Sequence, residues 1–210
     1  MSLRNELRAT TGQDNFFNHG NWYNFVTQGA NAVHDTNGDV LVIIGGPMSS
    51  TDLSFLRFNQ LEGAKSSWQG KTVFEWHNYY WSWAVGSSIC YIFDQIAGGK
   101  IGFLLEQGRS YTAPLWLSEF GAQQVLGQPG NVLSAAEQQL EQAWIPCIVS
   151  YLERNDGDWA LWSVGGSYYV RDGNTYSDES YGLLDSTWTD WRNGTFKNAL
   201  GGIFEMTQRP

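Results

Sequence analysis

Basic residues, cysteines and long apolar stretches are all scarce in this 210-residue sequence. Lysine and arginine total 12 against 21 aspartate and glutamate residues, which gives a formal net charge of -9. A chain with this charge repels phosphate backbones and anionic lipid heads, so we expect neither nucleic acid nor a membrane as a partner. No apolar run approaches the roughly 18 residues of a transmembrane helix. The N-terminal segment MSLRNELRAT lacks the apolar core of a signal peptide.

The two cysteines, Cys90 and Cys147, are too few for a disulfide-dense scaffold and lack the spacing of a zinc site. They are therefore either buried thiols or one bridge. Glycine-rich phosphate loops of the types GxGxxG and GxxxxGK[ST] are also missing, which counts against a nucleotide-binding sheet. Apolar residues, by contrast, make up 42% of the chain and aromatic residues 15%, enough to build a core.

Four short apolar segments, three of them flanked by glycine, predict β-strands. They cover residues 38–46, 71–79, 113–121 and 157–166. Their near-continuous hydrophobicity is typical of strands that are covered on both faces, as in a parallel sheet. Predicted helices alternate with them, at 22–38, 89–108 and from Ser134 onward. The last begins with SAAE, a capping box between Ser134 and Glu137, and places Trp144 on its apolar face.

This alternation predicts a parallel sheet with right-handed crossovers, either open or closed as a (β/α)8 barrel. Polar or aromatic side chains stand at the carboxyl ends of three strands: His77 and Tyr79, Glu119, and Trp162. In a barrel these ends all face one mouth, where the active site lies. A carboxylate at the end of a buried strand is costly unless it is used, so Glu119 is the strongest single candidate for a catalytic residue.

The order of several motifs resembles glycoside hydrolase family 5. RNE (4–6), HNY (77–79), LSEFG (117–121) and the long stretch 159–193 follow the order of that family's fourth, sixth, seventh and eighth strands. The resemblance covers almost the whole chain and is greatest to the fungal-type secreted members. It implies a partial (β/α)8 barrel with strands four to eight, in which residues 1–210 form a single incomplete catalytic domain and strands one to three are missing.

The resemblance implies a retaining mechanism with two carboxylates. Glu6 matches the general acid/base and Glu119 the nucleophile, and such a pair needs its carboxyl groups roughly 5 to 5.5 Å apart. Two like charges at that distance raise the pKa of one group, so we expect the acid to stay protonated near neutral pH. No metal or organic cofactor is implied.

Four further residues match the family's substrate site. Asn5 resembles the asparagine that contacts the sugar 2-hydroxyl. His77 and Tyr79 match a His-x-Tyr pair whose tyrosine favours the ionised nucleophile through a hydrogen bond. Trp162 matches the tryptophan that forms a floor under the sugar at the cleavage point. Asp178, Glu179 and Asp185 are interpreted as charges of a long loop bordering the cleft.

The implied function is endoglucanase-like hydrolysis of O-glycosyl bonds in a β-linked glucan-type or mannan-type polysaccharide. Two alternatives remain: a non-catalytic carbohydrate-binding fragment, and a half-barrel that self-associates through exposed sheet edges and is active only as an assembly. A full barrel takes about 250 residues, so we expect a truncated form with little activity alone. The full-length parent is expected to be extracellular, with no signal peptide in this chain, and that setting favours a Cys90–Cys147 bridge.

Overall fold

A computed structural model of the protein describes residues 1–8, 19–61, 67–68, 70–83, 89–125, 134–171 and 173–207. The chain divides into two compact units. Unit 1 comprises Met1–His77 and Gln95–Ser118, and unit 2 comprises Asn78–Asp94 and Glu119–Pro210. Among the described residues, no helix combines the length and the apolar character needed to cross a membrane.

Four strands form one sheet, in the order β1-β2-β3-β4. They are β1 (Val42–Gly45), β2 (Thr72–Asn78), β3 (Leu115–Phe120) and β4 (Asp158–Leu161). Each lies inside one of the four segments predicted from the sequence. β1 and β2 are parallel, with Val42 opposite Thr72, which confirms the expected parallel arrangement.

A further pair of strands was not predicted. β5 (Ser167–Arg171) and β6 (Asn174–Asp178) form an antiparallel hairpin in unit 2. Both strands are rich in polar and exposed residues, so they lack the apolar run on which the prediction of the other four depended. The hairpin directly follows the segment 157–166.

Six α-helical segments occur in the described residues. They are α1 (His19–Thr36), α2 (Pro47–Ser50), α3 (Ile89–Lys100), α4 (Ala135–Asn155), α5 (Gly194–Ala199) and α6 (Gly201–Thr207). The predicted capping box starts α4, where the Glu137 amide donates to Ser134 Oγ and the Ser134 amide donates to Glu137 Oε2. α3 ends earlier than predicted, and a 3-10 turn over Gly102–Leu105 follows it. The glycines of this stretch weaken a continuous helix.

The first residues of the chain lie beside β1. Ser2 forms a parallel bridge with Ile43, and the Leu3 amide donates to the Ile43 carbonyl at 3.1 Å. Ser2 Oγ also donates to Glu75 Oε1 at 2.6 Å. The segment that leads to Glu6 therefore runs alongside β1 as the tail of a strand, as the family resemblance implied.

α1 covers β1 in unit 1. Trp22 is fully buried and its indole donates to the carbonyl of Gly45 at 3.0 Å, so the last residue of β1 is bound to the helix. After β1, the turn α2 adopts left-handed backbone angles at Met48, Ser49 and Ser50. Such angles are rare for residues with a Cβ and mark a strained connection.

The part of α3 before Gln95 packs against α4 in unit 2. The ring of Phe93 meets the ring of Trp144 edge to face, with centroids 4.7 Å apart, and Trp144 is fully buried as predicted. The Trp144 indole donates to Asn78 Oδ1 at 2.6 Å, which ties α4 to the end of β2. A disulfide joins Cys90 to Cys147, the pairing favoured from the sequence.

We expect the Cys90→Ser, Cys147→Ser double variant to be less stable than the parent chain. The bridge closes a loop of 57 residues, and constraining a loop of that size in the unfolded state stabilises a protein by about 2 to 4 kcal/mol. Urea unfolding followed by circular dichroism measures the change. A variant with an unchanged midpoint and slope would contradict this expectation.

Candidate active site

Glu6 lies in unit 1, where two side chains contact its carboxylate. His77 Nδ1 is 3.1 Å from Glu6 Oε1, and an Arg8 guanidinium nitrogen donates to Glu6 Oε2. Arg8 also donates to Ser49 Oγ at 3.0 Å, so the left-handed turn after β1 supports the arginine. Glu6 itself has a positive φ of 37°, a strained angle that aims its side chain towards His77.

The electrostatics of Glu6 differ from the expectation for a general acid. Burial raises the pKa of Glu6, but the hydrogen bonds from His77 and Arg8, together with the charge of Arg8, outweigh it, and the net pKa lies below the ordinary value. The prediction of a raised pKa was therefore wrong for this arrangement. No sequence pattern indicated that Arg8, two residues away, would form an ion pair with Glu6.

Glu119 lies in unit 2, at the carboxyl end of β3. The Tyr79 hydroxyl donates to Glu119 Oε1 at 2.6 Å, as the family resemblance implied. Tyr79 is buried, and its amide donates to Ser82 Oγ at 3.1 Å at the start of the 3-10 turn Tyr80–Ser82. Its ring is stacked on the exposed Trp81, with centroids 5.2 Å apart and planes within 6°. The hydroxyl is thus held towards Glu119 by the backbone and by ring packing.

The end of β2 carries a partner for each of these carboxylates. His77 contacts Glu6 within unit 1, and Tyr79 contacts Glu119 within unit 2. Asn78 separates them in the chain and is fully buried against Trp144.

Trp162 follows β4 directly and is tied to the end of β3. Its amide donates to the Phe120 carbonyl at 2.8 Å, and its own carbonyl lies so close to Gly121 that any side chain at position 121 would overlap it. The peptide bond between Trp162 and Ser163 is cis. The indole remains 41% exposed, as a surface that binds a sugar ring requires.

Glu179 was interpreted as a loop charge, but the structure buries it, leaving 3% exposed. Burial raises its pKa, although the Tyr181 amide, the charge of Arg192 and a hydrogen bond from the Trp162 side chain partly offset that effect. Asp178 is not a loop charge, because it ends strand β6 and pairs with Arg192 at 2.9 Å. Asp185 lies in a loop as expected and is half-buried. Glu179 is therefore a buried neighbour of Trp162 that the sequence analysis did not identify.

Glu141 of α4 is a second buried acid near Glu119. It accepts hydrogen bonds from the Gln123 amide at 2.7 Å and from the Tyr181 hydroxyl at 3.0 Å. Burial raises its pKa. Tyr181 packs its ring against Tyr79 edge to face, so Glu141 supports both the segment after β3 and the tyrosine that contacts Glu119.

Asn5 is exposed and immediately precedes Glu6. The residues predicted from the sequence thus fall into two groups: Asn5, Glu6 and His77 in unit 1, and Tyr79, Glu119 and Trp162 in unit 2. In each group a carboxylate contacts a side chain of the HNY motif: Glu6 contacts His77, and Glu119 contacts Tyr79.

Residues 1–167 match the family described as Cellulase (glycosyl hydrolase family 5). The chain belongs to glycosyl hydrolase family 5. A curated relative, a glycosyl hydrolase 5 family protein from Chamaecyparis obtusa, is 33% identical over 217 residues, which cover the whole of this chain and 36% of the relative. The chain therefore spans about a third of the length of that relative.

Solved structures share the fold at low sequence identity. The β-glucanase SdGluc5_26A from Saccharophagus degradans, in complex with cellotetraose, matches with a TM-score of 0.67 and 16% identity over 98% of this chain and 53% of its own. A β-mannanase from Thermomonospora fusca matches with a TM-score of 0.52 and 16% identity over 91% of this chain and 52% of its own. The prediction of a partial (β/α)8 barrel of family 5 is confirmed.

Removing the charge of Arg8 is expected to raise the pKa of Glu6. In the Arg8→Gln variant, one hydrogen bond and the nearest positive charge that favour the ionised form are weakened or lost. Carboxyl ¹³C NMR titration, with Glu6→Gln to assign the resonance, measures the shift. Arg4→Gln is the matched control, because Arg4 is an exposed arginine in the same segment.

The lowered pKa of Glu6 also makes the free energy of unfolding depend on pH. Because the pKa of Glu6 is lowered in the folded state, its contacts stabilise the protein above the unfolded pKa of about 4.3. That stabilisation is lost as the pH falls through the folded value. The acid-induced loss of unfolding free energy should be smaller in Arg8→Gln than in Arg4→Gln, and equal losses would count against the assigned ion pair.

Proposed function

We propose that this chain carries the catalytic carboxylates of a retaining β-glycosidase, which hydrolyses O-glycosyl bonds in glucan-type or mannan-type polysaccharides. The observation that supports it best is the pairing of each carboxylate with a motif side chain: Glu6 with His77, and Glu119 with Tyr79. Membership of family 5 supports the reaction class. The β-glucanase and the β-mannanase among the structural matches support the two substrate classes.

In the proposed first step, a Glu119 carboxylate oxygen attacks the anomeric carbon and forms a glycosyl-enzyme ester. The bond to the leaving oxygen breaks, and protonated Glu6 supplies the proton to that oxygen. In the second step water attacks the same carbon, Glu6 accepts a proton from it, and the ester bond to Glu119 breaks. Side chains of this chain carry out both steps, with Trp162 under the sugar and Asn5 towards its 2-hydroxyl.

The lowered pKa of Glu6 has a direct consequence for this mechanism. A general acid must be protonated in the free enzyme, and the hydrogen bonds from His77 and Arg8 favour the ionised form. The activity should therefore be greatest at acid pH and should fall as Glu6 ionises. The Tyr79 hydrogen bond fixes the orientation of Glu119 Oε1 before substrate arrives.

We also propose that the 210-residue chain alone turns over slowly. Within the described residues, the segment before Glu6 is joined to β1 through a single-residue bridge, Ser2 to Ile43. A displacement of about 1 Å at a catalytic group can cost roughly 100-fold in rate. Self-association along this weakly covered side of β1 is the alternative route to an active form, and rate per molecule that rises with protein concentration would favour it.

An extracellular location of the whole protein is part of this proposal. The Cys90–Cys147 disulfide supports it, because disulfides persist in oxidising compartments and are rare in the cytosol. A polysaccharide substrate outside the cell would agree with that location.

The decisive test is hydrolysis of an aryl β-glycoside, a soluble β-glucan and a soluble mannan by the purified chain. We expect slow release of reducing ends, lowered by about a thousandfold or more in Glu119→Gln, as for the loss of a nucleophile. Glu205→Gln, an exposed carboxylate on α6, is the matched control and should keep the parent rate.

Proton NMR of the first products tests the stereochemistry. Retention of the β-anomer is expected from the covalent intermediate on Glu119. An inverted first product would contradict the retaining mechanism. Activity that survives Glu119→Gln would contradict the assigned nucleophile.

A further inference from the structure

The loop after β6 holds a tryptophan in an unusual backbone conformation. Trp188 has a φ of 65°, in the left-handed region that bulky residues rarely adopt. Conformations of this kind are strained and persist where the surroundings enforce them. Trp188 is nevertheless 55% exposed, so burial of its ring does not account for the strain.

The loop itself enforces this conformation. Asp185 Oδ1 accepts hydrogen bonds from the amides of Thr187 and Thr189, both at 3.1 Å, and from the Thr187 hydroxyl at 2.8 Å. The Trp188 amide donates to the Asp185 carbonyl at 3.0 Å. The backbone around Trp188 is therefore fixed from both sides by one aspartate.

The indole ring is also held in place. Its Nε1 donates to Ser167 Oγ at 2.9 Å, at the start of β5. Its six-membered ring rests on Gly165, where an added Cβ would lie 2.8 Å from Trp188 Cη2. One side of the ring is therefore seated on backbone, while more than half of the residue faces solvent.

Trp188 and Trp162 belong to the same stretch of unit 2. The ring of Trp188 rests on Gly165, three residues beyond Trp162, and three extended residues span about 10 Å. Ser167, which orients the indole, begins the β5–β6 hairpin, and that hairpin exposes Tyr169 and Tyr176. The two tyrosine rings meet edge to face, with centroids 5.7 Å apart.

We propose that Trp188 is a second sugar-binding platform. It stacks on one pyranose ring of the polysaccharide, while Trp162 stacks on a different ring of the same polysaccharide chain. This inference rests on the proposed function. A pre-oriented indole with one exposed face binds the C–H face of a sugar and loses little conformational freedom on binding. The exposed hydroxyls of Thr187 and Thr189 lie on the same loop and are suited to the sugar's hydroxyl groups.

Affinity gel electrophoresis in a soluble β-glucan or glucomannan tests the platform. All variants carry Glu119→Gln, so that the polysaccharide is not degraded during the run. Trp188→Ala should weaken binding roughly fivefold, as expected for the loss of one stacked aromatic ring, and Trp188→Phe should weaken it less. Tyr91→Ala, which removes another exposed aromatic residue of unit 2, is the control and should bind like the parent.

A second variant keeps the indole but changes Gly165, the residue against which the ring packs. Gly165→Ala places a methyl group against the ring, so the platform should tilt and binding should weaken although Trp188 is retained. Thermal unfolding followed by circular dichroism shows whether each variant is folded. A folded Trp188→Ala or Gly165→Ala variant that binds polysaccharide like the parent overturns the platform.

The test separates this inference from the proposed function. Parent chain that binds polysaccharide with no contribution from Trp188 overturns the platform alone. Parent chain that neither binds nor cleaves any of the polysaccharides overturns both. If size-exclusion chromatography shows that Trp188→Ala abolishes a dimer while polysaccharide binding is unchanged, the surface is a contact between copies of the chain and the platform is wrong.

Discussion

The cost of burying ionisable side chains is the constraint on which this structure depends. A carboxylate removed from water without a hydrogen-bonding partner destabilises a protein by several kcal/mol. The two half-buried candidate catalytic acids meet donors: His77 and Arg8 contact Glu6, and Tyr79 contacts Glu119. The donors are themselves fixed by packing, as Tyr79 is by Trp81. The packing of the core and the arrangement of the candidate catalytic groups therefore depend on the same contacts.

Much of the fold was predictable because its signals are local. Strands β1 to β4 are short apolar runs bounded by turns, and α4 begins at a capping box that any single sequence reveals. The pairing of Tyr79 with Glu119 followed from the order of family motifs, since parallel strands bring their carboxyl ends to one edge. These features depend on residues close in sequence or on a topology that the motif order identifies.

Other features depend on tertiary contacts with no local signal. Glu179 looks like a loop charge in the sequence, yet it is buried and contacts Trp162. Arg8 looks like one more surface arginine, yet together with His77 it lowers the pKa of Glu6, against the expected direction. The β5–β6 hairpin escaped prediction because its side chains are largely exposed, so no apolar face marks its strands. Glu179 contacts a residue distant in sequence, Arg8 is supported by the distant Ser49, and the hairpin faces solvent.

The close approach of the Trp162 carbonyl to Gly121 has a consequence for directed evolution of this chain. Position 121 accepts no side chain without moving β4 relative to the end of β3, and that movement would carry both Trp162 and Glu119 with it. Libraries that randomise the substrate site one position at a time will therefore find residue 121 invariant for a steric reason. Changes of sugar specificity near Trp162 are better sought through simultaneous substitutions at Glu179, which contacts Trp162, and Tyr181, whose ring lies beside Gly121.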